Sequence, residues 1–198
     1  MKGKLITLYG INNIGKTTHA KRLVERLKAN GYKSVYLKYP IYGLAPSGPI
    51  LFEQLRGKRG QTMSEDELQM WFVMNRYQFQ PKLKKFLNEG YIVVSEDYTG
   101  TGIVWGKTKG LDEGWLEGIN EFLVKEDFAI MLEGRRSLKA KEKFHVHEQN
   151  DRLMGKSEKT HQYFARKYGW QVVALQPSKD ETAELVWKKV GNLLKRQL

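Results

Sequence analysis

Nine consecutive residues near the start of the chain, Gly10-Ile11-Asn12-Asn13-Ile14-Gly15-Lys16-Thr17-Thr18, have the types and spacing that grip a polyphosphate. They follow the apolar run Leu5-Ile6-Thr7-Leu8-Tyr9 and precede an amphipathic stretch with Leu23, Val24 and Leu27 on one face. This is the strand–loop–helix setting that the pattern G-x-x-x-x-G-K-[ST] requires. The glycines let the backbone curl until successive N–H groups point at a nucleotide's phosphates. Lys16 then reaches the β- and γ-phosphates, and the Thr17 hydroxyl is placed to ligate Mg²⁺. The following helix turns the positive end of its dipole toward the same anion. Gly10, Asn13, Gly15, Lys16, Thr17 and Thr18 are therefore the expected contacts of the ATP phosphates.

Two further groupings bear on chemistry. The segment Gly90-Tyr91-Ile92-Val93-Val94-Ser95-Glu96-Asp97-Tyr98 is an apolar strand ending in acids. Phosphoryl-transfer enzymes of the P-loop type hold Mg²⁺ from such a strand end, so Glu96 joins Thr17 as an expected metal-side residue. In Trp71-Phe72-Val73-Met74-Asn75-Arg76-Tyr77 the ring of Phe72 and the guanidinium of Arg76 are four residues apart and share a helix face. A ring and a guanidinium side by side stack on and hydrogen-bond to a planar base.

These groups meet only if the chain folds as alternating strands and helices. Short apolar runs over 4–9, 34–39, 91–95, 128–132 and 170–175 read as strands covered on both faces. Helical periodicity occupies 16–30, 48–56, 64–88, 114–124, 151–168 and 179–196, with capping boxes at Ser64-Glu65-Asp66-Glu67 and Ser178-Lys179-Asp180-Glu181. The alternation predicts an α/β, three-layer fold: a five-stranded parallel sheet with helices on both faces, in one domain over 1–198. Ligands of such sheets sit beyond the carboxyl ends of the strands. That rule gathers the 10–16 loop, the turn after Tyr39-Pro40, the segment from Glu96 and the basic stretch after Leu132.

Composition narrows the chemistry. The chain has no cysteine, which excludes disulfides, thiolate metal sites and a thiol nucleophile. Four histidines are scattered, and His145 and His147 read as part of a solvated loop. No apolar leader and no membrane-length apolar run is present, so a soluble, cytoplasmic protein without a membrane partner is expected. The net charge of +12 is spread over helix faces (Lys21, Arg22, Arg26, Lys28; Lys82, Lys84, Lys85) and gathered once, from Arg135 and Arg136 to Lys143. Handling ATP accounts for such cations, and a nucleic-acid partner is not expected.

The order of P-loop, Tyr39-Pro40, Phe72-x-x-x-Arg76, the strand leading to Glu96-Asp97-Tyr98, and a basic segment resembles the thymidylate kinase family over nearly the whole length. The family pattern G-x-x-x-x-x-D-R-Y-x-x-S-G-x-x-[FY] lies without a gap on Gly90 to Trp105. The resemblance implies a P-loop kinase fold with a short basic lid at about 135–150, and transfer of the γ-phosphoryl of ATP to dTMP in the presence of Mg²⁺. It implies that Phe72 stacks on the base and Arg76 hydrogen-bonds to it, and that Tyr98, Thr101, Gly102 and Trp105 line the monophosphate pocket, with Tyr39, Glu96 and Asp97 beside it. Lys16 with Arg135 and Arg136 of the lid would supply the catalytic cations, because Asn12, Asn13 and Ile14 place none inside the P-loop. The family is generally homodimeric, and Met70, Trp71 and Met74 would suit such a contact.

This chain departs from the family around the acceptor's phosphate. The family's Asp-Arg is Glu96-Asp97, its F-P-x-R is Tyr39-Pro40-Ile41-Tyr42, and the acid that holds the sugar 3′-hydroxyl is Asn12. Lys38, Lys107 and Lys109 are candidate replacements for the lost arginines. The departures keep two other readings open. One is a deoxynucleoside kinase that phosphorylates a sugar hydroxyl with Glu96 or Asp97 as base; the other is a P-loop ATPase acting on nucleic acid.

Overall fold

The structure of the chain is a computed structural model that describes residues 3–135 and 151–195. Arg136, the rest of the expected lid, His145 and His147 lie outside the described residues. Five strands, β1 (Lys4–Tyr9), β2 (Ser34–Lys38), β3 (Ile92–Glu96), β4 (Phe128–Glu133) and β5 (Gln171–Ala174), form one sheet in the order β2-β3-β1-β4-β5. All neighbours are parallel. The helices are α1 (Lys16–Ala29), α2 (Ser47–Arg56), α3 (Glu65–Asn88), α4 (Thr99–Thr108), α5 (Glu113–Ile119), α6 (Asp151–Tyr168) and α7 (Lys179–Lys195). The five-stranded parallel sheet is the one the apolar runs predict, with boundaries shifted by a residue or so.

Strand alternation divides the core. Ile6, Leu8, Ile92, Val94, Ile130 and Leu132 face α1 and α7, joined by Leu23, Val24, Leu27, Val186 and Val190. Leu5, Tyr9, Val93, Ala129 and Met131 face the opposite layer with Leu83 of α3, Val104 of α4, Leu116 of α5 and Phe164 of α6. Because successive strand residues point to opposite faces, an uninterrupted apolar run supplies both layers at once. Ser64 caps α3 through its side chain, accepting from Glu67 N–H, as the capping box predicts. Helix 114–124 is shorter than its periodicity suggests: α5 ends at Ile119, followed by Asn120.

One element is absent from the sequence-based reading. α4 carries Gly100, Gly102 and Gly106, each costing about 1 kcal/mol of helix propensity relative to Ala, so its periodicity does not read as helical. Tertiary packing explains the glycines. A Cβ on Gly100 would lie 2.5 Å from the Trp170 ring, and one on Gly106 would lie 2.5 Å from Leu116. On Gly102 it would lie 2.9 Å from the Arg76 guanidinium. The helix is drawn in against large side chains on several sides, and it starts directly behind the acids at the end of β3.

Candidate active site

The P-loop runs from the end of β1 to the start of α1. Gly10 has φ 133° and its absent Cβ would meet the Leu132 carbonyl at 2.7 Å, so both its backbone region and its neighbour exclude other residues. Gly15 caps α1 in the left-handed region at φ 100°. Asn13 adopts φ 64°, a conformation asparagine tolerates better than most side chains. Lys16 is buried and its ammonium donates to the carbonyls of Gly10 (2.7 Å) and Ile11 (3.1 Å). Thr18 is half-buried on the first turn of α1.

Parallel register brings the acids to this loop. Leu8 pairs with Glu96 across β1 and β3, and Lys38 pairs with Glu96 across β2 and β3. Glu96 is buried and accepts from the Thr17 hydroxyl (2.9 Å) and the Tyr36 hydroxyl (2.5 Å), with the Lys38 ammonium 2.9 Å away. Burial alone would raise its pKa, but Lys38, Lys16 and the Tyr36 hydroxyl outweigh that and hold the carboxyl below its ordinary range. Asp97 follows at φ 62°, accepts from the Thr101 hydroxyl (2.8 Å), and lies 3.6 Å from the Lys16 ammonium. Here burial, helped by Glu96, exceeds the pull of Lys16, and the carboxyl is raised. Two adjacent carboxyls thus titrate in opposite directions because Glu96 has more compensating partners.

The expected base-binding pair sits on α3. Phe72 is half-buried and the guanidinium of Arg76 lies 6.0 Å from its ring centre. Arg76 is buried and donates to the Tyr98 carbonyl (2.9 Å) and the Asn120 side chain (3.2 Å), while its Nε–H has no partner among the described residues. The backbone of Gly102 passes close enough that only a hydrogen fits beside that guanidinium. Tyr39 and Tyr98 are buried with ring centres 5.1 Å apart. Trp105 is also buried, within the apolar cluster that holds Ile11 and Ile14 of the P-loop and Met154 of α6. Asn12 is half-buried at the P-loop's tip. Arg135 is exposed two residues beyond β4, at the same edge of the sheet.

The expected site residues therefore converge from several elements on one sheet edge, except Arg136, which lies outside the described residues. The structure also shows participants that spacing does not reveal. Asn75 is fully buried and pins the loop after β2: its side chain accepts from Ile41 N–H (2.8 Å) and donates to the Ile41 carbonyl (3.1 Å) and to Ser47 (2.8 Å). Tyr36 and Asn120 are likewise set by tertiary contact. A polar Asn75 beside Arg76 on an otherwise apolar helix face was the only sequence signal among them. The three candidate replacement cations are engaged with acids: Lys38 with Glu96, Lys107 with Glu113 (3.4 Å) and Lys109 with Glu65 (2.6 Å).

This geometry agrees with the relationships of the chain. The thymidylate kinase family profile matches residues 8–181. The chain belongs to the thymidylate kinase family. It is 30% identical to thymidylate kinase of African swine fever virus over 141 residues, 71% of this chain and 55% of the viral one. It is 29% identical to that of Brachyspira hyodysenteriae over 133 residues, 67% of this chain and 64% of the other. To the human thymidylate kinase it is 27% identical over 133 residues, 67% and 61% of the two chains. These matches span less than two thirds of the relatives' lengths. The fold is similar to the structure of Candida albicans thymidylate kinase, with a TM-score of 0.77 at 22% identity, covering 96% of this chain and 92% of that one.

Proposed function

We propose that the protein transfers the γ-phosphoryl group of ATP to dTMP, giving dTDP and ADP. The observation that carries this reading is the tripeptide Glu96-Asp97-Tyr98, which touches both halves of the site: Glu96 receives Thr17, Asp97 lies beside Lys16, and the Tyr98 carbonyl receives Arg76. A donor held on the P-loop and a base held by Phe72 and Arg76 are thereby tied to one rigid strand end. Phosphoryl transfer depends chiefly on such positioning and on neutralising charge, so no nucleophilic side chain is needed. Lys16 exchanges its backbone carbonyls for phosphate oxygens, and Arg135, leading into the 135–150 lid with Arg136, adds cationic charge over the donor. The acceptor's own phosphate oxygen attacks in line.

The Thr17 hydroxyl and the Glu96 carboxylate, 2.9 Å apart, are hard oxygen donors of the kind Mg²⁺ takes, directly or through water. When bound, the ion supplies charge neutralisation of the β- and γ-oxygens. The exposed side chains Met70 and Met74, four residues apart on α3, support pairing of two copies through that helix. No helix among the described residues is long and apolar enough to cross a membrane, in keeping with a cytoplasmic kinase.

One observation favours a second reading. Asp97, raised in pKa and beside Lys16, is a carboxyl where a sugar hydroxyl could leave its proton, which suits a nucleoside acceptor. Supplying ATP and Mg²⁺ with dTMP, thymidine, other nucleoside monophosphates and DNA, and following ADP release, decides between them. Release with dTMP and not with thymidine is expected. The reverse pattern establishes the second reading, and DNA-stimulated hydrolysis with no phosphorylated acceptor overturns both.

A further inference from the structure

Glu96 stands where the family pattern carries aspartate, so the carboxyl that meets the P-loop swings on one more rotatable bond. Its two oxygens are nevertheless held by different partners. Oε1 accepts from the Thr17 hydroxyl at 2.9 Å and lies 2.9 Å from the Lys38 ammonium. Oε2 accepts from the Tyr36 hydroxyl at 2.5 Å. A carboxylate pinned at both oxygens cannot rotate about its terminal bond without breaking a charge-assisted hydrogen bond.

Sheet register puts Tyr36 in that place. Lys38 pairs with Glu96 and Tyr36 with Val94, so Tyr36, Lys38 and Glu96 share the face of the sheet that α1 covers. Tyr36 is the diagonal neighbour of Glu96, a separation that an aromatic side chain spans. The ring itself is confined. It packs against the core under α1, and the Lys21 ammonium of that helix lies 5.6 Å from its centre.

Lys38 alone would not give the same control. Its side chain is exposed, and an ammonium on a flexible stem attracts either carboxylate oxygen. With the Tyr36 hydroxyl gone, Glu96 can turn toward Lys38 and draw Oε1 away from Thr17. The Thr17 hydroxyl spends its hydrogen on Oε1, which leaves the lone pairs of its oxygen for a ligand of the P-loop. We infer that Tyr36 is a positioning residue of the reaction: its hydroxyl fixes the rotation of Glu96 and, through Glu96, the orientation of Thr17. The inference rests on the metal-side reading of Glu96 and Thr17 and is independent of which acceptor receives the phosphoryl group.

The test compares the full chain with Tyr36→Phe, Glu96→Ala and the double variant, each checked for folding by thermal melts. Mn²⁺ affinity of the protein–ADP complex is read by electron paramagnetic resonance, and steady-state kinetics with ATP and dTMP give kcat and KM. Tyr36→Phe is expected to lower Mn²⁺ affinity and kcat about tenfold each, the usual effect of losing a partner that orients a ligand. The KM for dTMP stays within about twofold, because the change reaches the metal side and not the base pocket. In the Glu96→Ala background the same substitution should add nothing, since Tyr36 then has no carboxylate to hold. An equal cost in both backgrounds overturns the inference, as does a parallel loss for Mn²⁺, ATP and dTMP, which would mark a merely structural tyrosine. If Glu96→Ala fails to fold, the Mn²⁺ affinity of Tyr36→Phe decides by itself, and an unchanged value overturns the inference. Unchanged Mn²⁺ affinity in a folded Glu96→Ala removes the metal-side reading and this inference with it. Weakened Mn²⁺ binding in Glu96→Ala beside an unaffected Tyr36→Phe removes the inference alone.

Discussion

The donor and acceptor ends of this site are built in contrasting ways. At the donor end the groups are close in sequence: the nine residues from Gly10 to Thr18 carry the loop, the cation and the hydroxyl. A backbone that curls through Gly10 at φ 133° and Gly15 at φ 100° suffices to shape it, and two strand ends supply the rest. The acceptor end draws on the loop after β2, α2, α3, the end of β3, α4 and Asn120 beyond α5, held by single hydrogen bonds and close approaches. A local device survives changes elsewhere in the chain, whereas an assembled one changes when any contributor does. Of the family's departures in this chain, Tyr42 and Asp97 fall on the assembled end, while Asn12 lies within the P-loop itself.

The contrast can be tested most severely at Lys16. Lys16→Met removes the donor-side cation while leaving the aliphatic stem, and kcat is expected to fall about 10²- to 10³-fold with dTMP binding little changed. A comparable loss of dTMP affinity would show that the two ends are one electrostatic unit. Gly102→Ala addresses the other end with a single methyl group. The new Cβ would lie 2.9 Å from the Arg76 guanidinium, which is held by Tyr98 and Asn120, so the head must shift and give up contacts. The helix gains about 1 kcal/mol of propensity, which offsets part of the strain and leaves the melting temperature nearly unchanged. The dTMP KM is expected to rise about tenfold and the ATP KM to stay constant. Equal changes in both would erase the distinction.

The smallest expected effect concerns the wall behind the P-loop. His161 of α6 is buried and lines a small cavity with Gly10, Ile11 and Gly134; its Nδ1–H donates to the Ser157 carbonyl at 2.9 Å, and its Nε2 has no partner among the described residues. Burial lowers its pKa from 6.5 to about 3, so the unfolded chain takes the proton first. The neutral ring's contribution is complete above pH 6.5 and is lost as the pH falls toward 3. Between pH 6.5 and 5.5 the folded state should lose about 1 kcal/mol on this account, a loss that His161→Gln would not share. Urea unfolding of both proteins at the two pH values measures the difference. An unchanged gap would mean that this wall admits solvent.

The donor end was legible in the sequence because its chemistry depends on chain-local geometry. The five strands were legible because each is an apolar run buried on both faces. Phe72 and Arg76 were legible as a pair because helical spacing places residues four apart on one face. Helix α4 was not, since its glycines argue against a helix until Trp170, Arg76 and Leu116 are seen to need the space. Nor did spacing show that Lys38, Lys107 and Lys109 are each matched with an acid, or that Arg56 lies against Tyr42.

What the sequence by itself determined is therefore the phosphate-gripping loop and the layered sheet, both consequences of short-range backbone freedom and of periodic burial. Which carboxyl is lowered and which is raised, and which lysines are matched with acids, only the tertiary structure decided. Those properties depend on distances between residues tens of positions apart. Glu96 has Thr17, Tyr36 and Lys38 around it while its neighbour Asp97 has Thr101 and Lys16, and no pattern along the chain encodes that difference.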